Sequence, residues 1–458
     1  MSKVTFKNST AVFTLDEPRR PNEDALEANL SVEELPYLPW ASPPLAVSFE
    51  PEKPLTREIP DFPDGGIRAW SVVIGALFMS FGTFGWINSF GVFQTYYEEY
   101  TFKEQSASNI AWIGSIQYGL IFIPALLTGR LLDLGHYNIP LAISSAFYIA
   151  ALFLVAECKT FLQVILCQGV ATGFFAGMLF GSTPAIVSHW FLRKRSQAFG
   201  VLAMGSSIGG TVLPIATQQL FGKVGFKWSV RAVAFIITFA VIVANLLLRP
   251  RLPPSNAKGS LFNWKAFKNP AFTCCVLAYN VTLLGLYVPL IYLDLSGQAA
   301  GYSPNFTFYL ISIANLASLI GRLSSGVLAD KFGALNTLIP FTLIGAVVSF
   351  AWPFSTSSIA SMVVVSVIYG CATGAFVSLI PSAPARLGGM SDAGSRIGMA
   401  ITCMAFGAAG GPPLAGVIRT KSGGFDDVGL YSGGVILAGC ALLAATRYLA
   451  LGKWVGKF

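Results

Sequence analysis

The chain has 458 residues, 54% hydrophobic and 11% charged, with 46 Gly and 36 Phe. A soluble domain carries about 25% charged residues, so low charge and repeated apolar runs of about 20 residues exclude a soluble globular protein. The net charge of +8 is uneven: residues 1–64 hold 12 acidic and 6 basic side chains, whereas residues 65–458 hold 24 basic and 10 acidic. Basic excess in an apolar chain reflects loop topology, which argues against a nucleic-acid partner.

Residues 1–63 are proline-rich and acidic with no apolar run, the pattern of a disordered tail and not of a signal peptide. Twelve apolar segments follow, at 69–95, 107–128, 138–157, 161–188, 197–220, 230–249, 271–294, 304–329, 334–353, 359–381, 395–418 and 429–451. Each approximates the length needed to cross the hydrocarbon core, so the fold class expected is an all-α polytopic membrane protein. The seventh, with Asn280 and Pro289, is expected to bend. An even count puts both termini on one side. Thirteen basic residues flank that side against six opposite, which predicts both termini in the cytoplasm of a cell whose plasma membrane the protein crosses.

The basic connection 250–270 divides the segments six and six, giving an N-terminal bundle over 64–249, a C-terminal bundle over 271–452 and a short tail at 453–458. The sequence repeats across that divide. Gly129-Arg-Leu-Leu-Asp133 ends segment two, and Gly326-Val-Leu-Ala-Asp330-Lys331-Phe-Gly333 ends segment eight. Each places a Gly four residues before an Asp, where close packing and a charged helix end suit a gate between bundles.

Within segment eight, Asn315, Ser318, Arg322 and Ser325 fall on one helical stripe roughly 80° wide. Arg322 lies roughly 12 Å along the axis from Asp330, a depth at which a charge costs about 2.5–3.5 kcal/mol unless it meets water or a partner. A guanidinium there offers a planar fork to a carboxylate. Asn315, Ser318 and Arg322 are therefore candidate binding residues, together with Asn88, Gln117 and Asn280, each an amide in an apolar segment. Tyr279, Tyr287, Phe174, Phe175 and Tyr369 are weaker candidates for an apolar wall. Gly205-x-x-x-Gly209-Gly210 and Gly407-x-x-Gly410-Gly411-Pro412-Pro413 occupy equivalent positions in the two bundles, at spacings that let helices approach closely.

The Gly-x-Leu-x-Asp-basic-x-Gly turn, complete at 326–333 and in weaker form at 129–135, resembles the signature of the major facilitator superfamily. Within it the chain is similar to the monocarboxylate porter family, especially fungal members. Asp64-Gly65-Gly66 with Trp70 resembles the signature before the first helix. Phe191 with Arg193, Lys194 and Arg195 resembles the signature opening the fifth. The resemblance implies twelve helices in two pseudo-symmetric six-helix bundles and alternating access of a midplane site. Proton-coupled members of that family carry a Lys in the first helix and an Asp four residues before the Arg of the eighth. Here those positions hold Asn88 and Ser318, so only the arginine of the proton relay is retained.

The expected function is secondary transport of a small organic anion, a monocarboxylate or a carboxylate-bearing metabolite. The alternative is efflux of a fungal secondary metabolite, and a distant third is a non-transporting sensor. Seven scattered cysteines and two histidines, with no metal spacing, imply neither an enzyme nor a cofactor or metal. The partners expected are the small-molecule substrate and the lipid bilayer; an accessory membrane protein is left open.

Overall fold

Eleven helices in the described residues are long and apolar enough to cross a membrane. They are α1 Gly66–Thr101, α2 Asn109–Asp133, α3 Asn138–Val155, α4 Phe161–Ser188 and α5 Arg195–Leu247. Then come α6 Pro270–Ala299, α7 Pro304–Phe332, α8 Ala334–Ser357, α9 Ile359–Arg386, α10 Ala393–Ser422 and α11 Asp426–Leu451. This computed structural model describes residues 62–252, 264–388, 392–453 and 456–458. The expected tail up to Asp61 and the centre of the basic linker, 253–263, lie outside the described residues.

The one apparent departure from twelve passes is α5. At 53 residues it would measure about 80 Å if straight, far beyond the roughly 30 Å of hydrocarbon. Gly225 inside it has φ 74° and ψ 170°, a conformation that glycine adopts without a Cβ penalty, and the helix folds back there. Its second arm returns alongside α1 and α3, with Ile237 and Val241 against Gly82, Phe235 on Phe153 and the Asn245 amide donating to Ser145 at 2.9 Å. Arg231 pairs with Glu157 at 2.5 Å on one membrane face, and the Trp190 indole donates to the Arg249 carbonyl at 2.8 Å on the other. The arms 195–224 and 226–247 are passes five and six, and α6 to α11 are passes seven to twelve.

Local chemistry explains where the passes start and bend. Thr160 and Gln163 form a capping box at the start of α4. Ser303, Ser358 and Asn269 accept from backbone N–H groups at the starts of α7, α9 and α6. Pass one is interrupted at Ser89 and pass seven at Tyr287. In pass seven Pro289 has no N–H to return to Gly285 O, and the Ser432 hydroxyl donates to that carbonyl at 3.0 Å. The Tyr369 hydroxyl donates to the next free carbonyl, Leu286 O, at 2.7 Å.

Glycines then set how closely passes approach. A Cβ on Gly209 would sit 2.6 Å from Phe81 O and 2.8 Å from the Gly85 Cα, so pass five lies directly on pass one. Gly407 and Gly411 play the same part against the Asn280 and Leu284 carbonyls, placing pass eleven on pass seven. The same packing thus occurs once among passes one to six and once among passes seven to twelve.

Candidate functional site

A cavity of about 1750 Å³ runs from one membrane face to mid-depth between the first six and the last six passes. Its mouth is lined by the far ends of α1, α6 and α10, with Glu98, Glu99, Asp294 and Lys421. Below that level the walls are apolar and aromatic, with Phe84, Phe90, Phe122, Phe180, Phe199, Tyr118 and Tyr287. Among the described lining residues, Arg322 is the one charged side chain away from the mouth.

Arg322 is 7% exposed. Its Nη1 donates across to pass five, to the Ala203 carbonyl at 2.5 Å and the Ser206 hydroxyl at 2.6 Å. Its Nε–H is buried and makes no hydrogen bond. Ser318, one turn nearer the mouth, meets the Ser207 hydroxyl of pass five at 2.5 Å, and Asn315 donates to the Gly210 carbonyl at 3.1 Å. The polar stripe of pass eight is therefore largely satisfied by pass five, while Asn315, Ser318 and Arg322 also line the cavity. Ser325, the fourth member, turns to Ser378 of pass ten at 3.0 Å.

Of the other amides expected to line a site, Asn88 does so, and its Oδ1 accepts from the Tyr118 hydroxyl at 2.5 Å. The structure corrects the expected placement of Gln117 and Asn280, neither of which lines the cavity. Gln117 is fully buried among the N-terminal passes, its Nε2 donating to Thr172 at 2.9 Å. Asn280 ties pass seven to pass eleven, accepting from the Gly407 N–H at 3.2 Å and donating to Val276 O at 3.1 Å. Interhelical bonds hold the Gln117 Nε2 and the Asn280 Oδ1, while the Gln117 Oε1 is buried without a hydrogen-bond partner.

Sequence reasoning missed Ser206, Ser207 and Tyr118, and ranked Tyr287 too low. The rings of Tyr118 and Tyr287 meet at 5.6 Å across the cavity, joining pass two to pass seven. Tyr279 and Tyr369 are instead buried and donate to the Ile380 and Leu286 carbonyls. Phe175 stacks on the exposed Phe147 at 5.1 Å, and neither it nor Phe174 lines the cavity. The two serines carried a usable signal. They are hydroxyls inside the glycine-spaced run of pass five, where a facing helix comes close enough to bond.

On the opposite face the passes are clasped together twice. Asp330, ending α7, accepts from the backbone N–H groups of Ser196 and Gln197 at 2.9 Å each, capping the start of α5. Asp133, ending α2, accepts from the Ser395 N–H at 2.7 Å, capping the start of α10. A carboxylate at a helix N-terminus satisfies free donors and complements the helix dipole. Each clasp joins a pass from the first six to one from the last six, and glycine makes the approach possible. A Cβ on Gly326 would lie 2.7 Å from Ser196 O, and one on Gly129 would strike the Gly394 carbonyl. Lys331 stays outside the clasp, exposed, with its Nζ 5.3 Å over the Phe332 ring.

The signature residues before pass one and pass five brace this face. One Asp64 carboxylate oxygen accepts from the Leu192 and Arg193 N–H groups at 2.7 Å each and from that of Lys194 at 3.3 Å. Gly66 takes φ 83° beside Gly65 as the chain enters α1, and Trp70 meets Phe191 edge-on at 5.2 Å. Arg195 is buried and donates to Phe191 O at 3.0 Å, whereas the Arg193 and Lys194 side chains face outward. Arg396 occupies the matching place in pass eleven, donating to Pro384 O at 3.2 Å and pairing with Asp392. His189 sits behind Arg195; burial, then the nearby guanidinium, pushes its imidazole down to about 4.

The family description Major Facilitator Superfamily matches residues 72–412. The aspyridones efflux protein apdF of Emericella nidulans is 36% identical over 410 residues, covering 88% of this chain and 83% of that protein. The MFS transporter asaE of Aspergillus flavus is 34% identical over 420 residues, covering 90% and 95% respectively. The fujikurins efflux protein of Gibberella fujikuroi is 35% identical over 393 residues, covering 84% of each. Among solved structures, the human organic anion transporter MFSD10 superposes with a TM-score of 0.67 at 16% identity, over 82% of this chain and 99% of that one. The transporter FucP in its outward conformation gives 0.65 at 14% identity, over 82% and 98%. At such identities the likeness carries the fold.

Proposed function

Because the chain belongs to the Major Facilitator Superfamily, we propose that it exports an apolar metabolite bearing an acidic group. It is a multi-pass membrane transporter of a small molecule, and relatives over most of its length are named efflux proteins. The observation that carries the finer reading is the charge pattern of the cavity: an aromatic funnel with a single guanidinium at its floor. An anionic group would pair with Arg322, and an apolar body would fill the walls above it.

Size supports the metabolite over a small monocarboxylate. The cavity exceeds the roughly 300–1,000 Å³ of ordinary ligand sites, and a short acid on Arg322 would leave most of the aromatic wall untouched. The resemblance to monocarboxylate porters supports a carboxylate-type anion as the group that meets Arg322. With Asn88 and Ser318 in place of the Lys and Asp of proton-coupled members, the described residues lining the cavity put no carboxylate or lysine beside Arg322, which favours a route that does not pass protons through this site.

In this reading 64–249 and 271–452 are two bundles joined by the linker 250–270, and they rock about the cavity. The Asp133 and Asp330 clasps are the cytoplasmic gate, closed here while the mouth is open to the outside. Both termini lie in the cytoplasm and the protein resides in the plasma membrane. It acts as a transporter and not as an enzyme.

The test compares metabolites inside and outside cells with and without the protein, at equal culture density. The expected result is at least one acidic, apolar compound that moves to the medium only when the protein is present. An unchanged profile across acidic metabolites, or one altered only in neutral and cationic compounds, would overturn the reading.

A further inference from the structure

The Arg322 guanidinium faces two demands at once. It lines the cavity, yet its Nη1 is held by pass five, on the Ala203 carbonyl and the Ser206 hydroxyl. Ser206 is itself oriented, its hydroxyl donating to the Ala203 carbonyl at 3.0 Å. These three groups form a small closed network between a pass of the first six and a pass of the last six. Among the described residues the guanidinium makes no further bond, and its Nε–H is buried without a partner. Two rungs run parallel to it nearer the mouth, Ser318 to Ser207 and Asn315 to Gly210 O, and Asp330 closes the same seam at its far end. One seam between passes five and eight thus holds the binding cation and a clasp, about 12 Å apart along one helix.

We infer that Ser206 is a positioning residue that latches the empty carrier. It holds Arg322 against pass five while the mouth is open, in competition with the anion, so that a guanidinium that took up the anion with the seam apart gives it up at the mouth once the seam closes. The physical reason is competition for one set of donors. A guanidinium held through Nη1 by a neutral carbonyl and a hydroxyl is neither fully satisfied nor neutralised, and a carboxylate is the stronger acceptor. Capture of Nη1 by substrate removes a rung that exists only when passes five and eight are together. Binding then carries a difference in free energy between the two states, which is what a ligand needs in order to shift an equilibrium. With the cavity empty, the arginine falls back on Ala203 and Ser206, and the seam closes.

This inference rests on Arg322 as the anion contact, but its test needs no substrate. The readout is hydrogen–deuterium exchange of the Ser196 and Gln197 amides, which Asp330 protects only while the seam is shut. Full-length protein in detergent or nanodiscs is compared with Ser206→Ala, Ser206→Thr, Arg322→Ala and the double variant Ser206→Ala/Arg322→Ala. Loss of the hydroxyl is expected to speed exchange of these two amides by about three- to tenfold, the range of one hydrogen bond's net worth. Ser206→Thr, which keeps the hydroxyl, restores slow exchange.

In the Arg322→Ala background, Ser206→Ala adds nothing further, because its effect passes through the arginine. If Arg322→Ala does not fold, Arg322→Met fills the same space and serves the same cycle. Unchanged exchange in Ser206→Ala, failure of Thr to restore it, or additive effects in the double variant would each overturn the inference. Those outcomes would leave the anion-contact reading standing if Arg322→Ala still abolished export. Normal export by Arg322→Ala would instead remove the anion-contact reading, and the release step with it, even with the latch intact.

Discussion

Replacing Asp330 by alanine removes two hydrogen bonds from a carboxylate to the Ser196 and Gln197 N–H groups, each 2.9 Å long. Bonds to a charged group are worth about 1.5–3 kcal/mol each, and Asp330 is half-buried, which places the loss toward the lower end. A total of about 3–4 kcal/mol shifts an equilibrium by roughly 150- to 1,000-fold. Both bonds join pass eight to pass five, so the variant is expected to populate the state with this face open. Spin labels at Leu192 and Phe332, both exposed beside the clasp, would report the separation by pulsed electron resonance. Wild type should give one short distance, and Asp330→Ala a second, longer distance that dominates. Asp330→Asn keeps one acceptor oxygen and should fall between. An unchanged distance distribution in Asp330→Ala would refute the clasp as a determinant of conformation.

Gly326→Ala places a Cβ 2.7 Å from Ser196 O, and overpacking at such a site costs about 1–3 kcal/mol. The variant should reach the membrane in normal amounts yet export several-fold more slowly; full export would mean that the seam has slack. His189, held down at about 4 against an ordinary value near 6.5, binds fewer protons folded than unfolded between those values, so its burial destabilises the protein progressively as pH falls through that window. Thermal melts at pH 7 and pH 5 should show His189→Gln losing less stability than wild type, by about 2 kcal/mol at pH 5; equal losses would contradict the burial argument. Asp64→Ala leaves three N–H groups of the α4–α5 connection to water, and the melting midpoint should fall by an amount matching about 1–2 kcal/mol. No fall would remove the brace.

The passes were legible because each needs its own apolar run, and the structure places a helix on every one of the twelve segments. Even the fold-back at Gly225 lies in the gap between the fifth and sixth runs, although helical hydrogen bonding continues on both sides of it. The bend of pass seven followed from Pro289, since a missing N–H is visible in any sequence. The site was legible in part. The polar stripe of pass eight identified Asn315, Ser318 and Arg322, but a stripe says only that one face of a helix is not lipid-facing. Whether it meets water or another helix depends on the neighbour, and here the neighbour supplies Ser206, Ser207 and two carbonyls. Gln117 and Asn280 misled for the same reason, because an amide inside an apolar run signals a partner without saying which kind. Tyr118 and Tyr287 were indistinguishable in sequence from the other aromatics, and only the packing of pass two on pass seven sets them apart.

The most direct test of the central claim is export by Arg322→Ala, measured against wild type at matched amounts in the membrane. The two are compared by the ratio of each acidic metabolite outside to inside the cell. The predicted result is a compound that wild type moves to the medium and Arg322→Ala retains at the level of cells lacking the protein. An outside-to-inside ratio for Arg322→Ala equal to that of wild type would contradict the account of the cavity as an anion-binding export path.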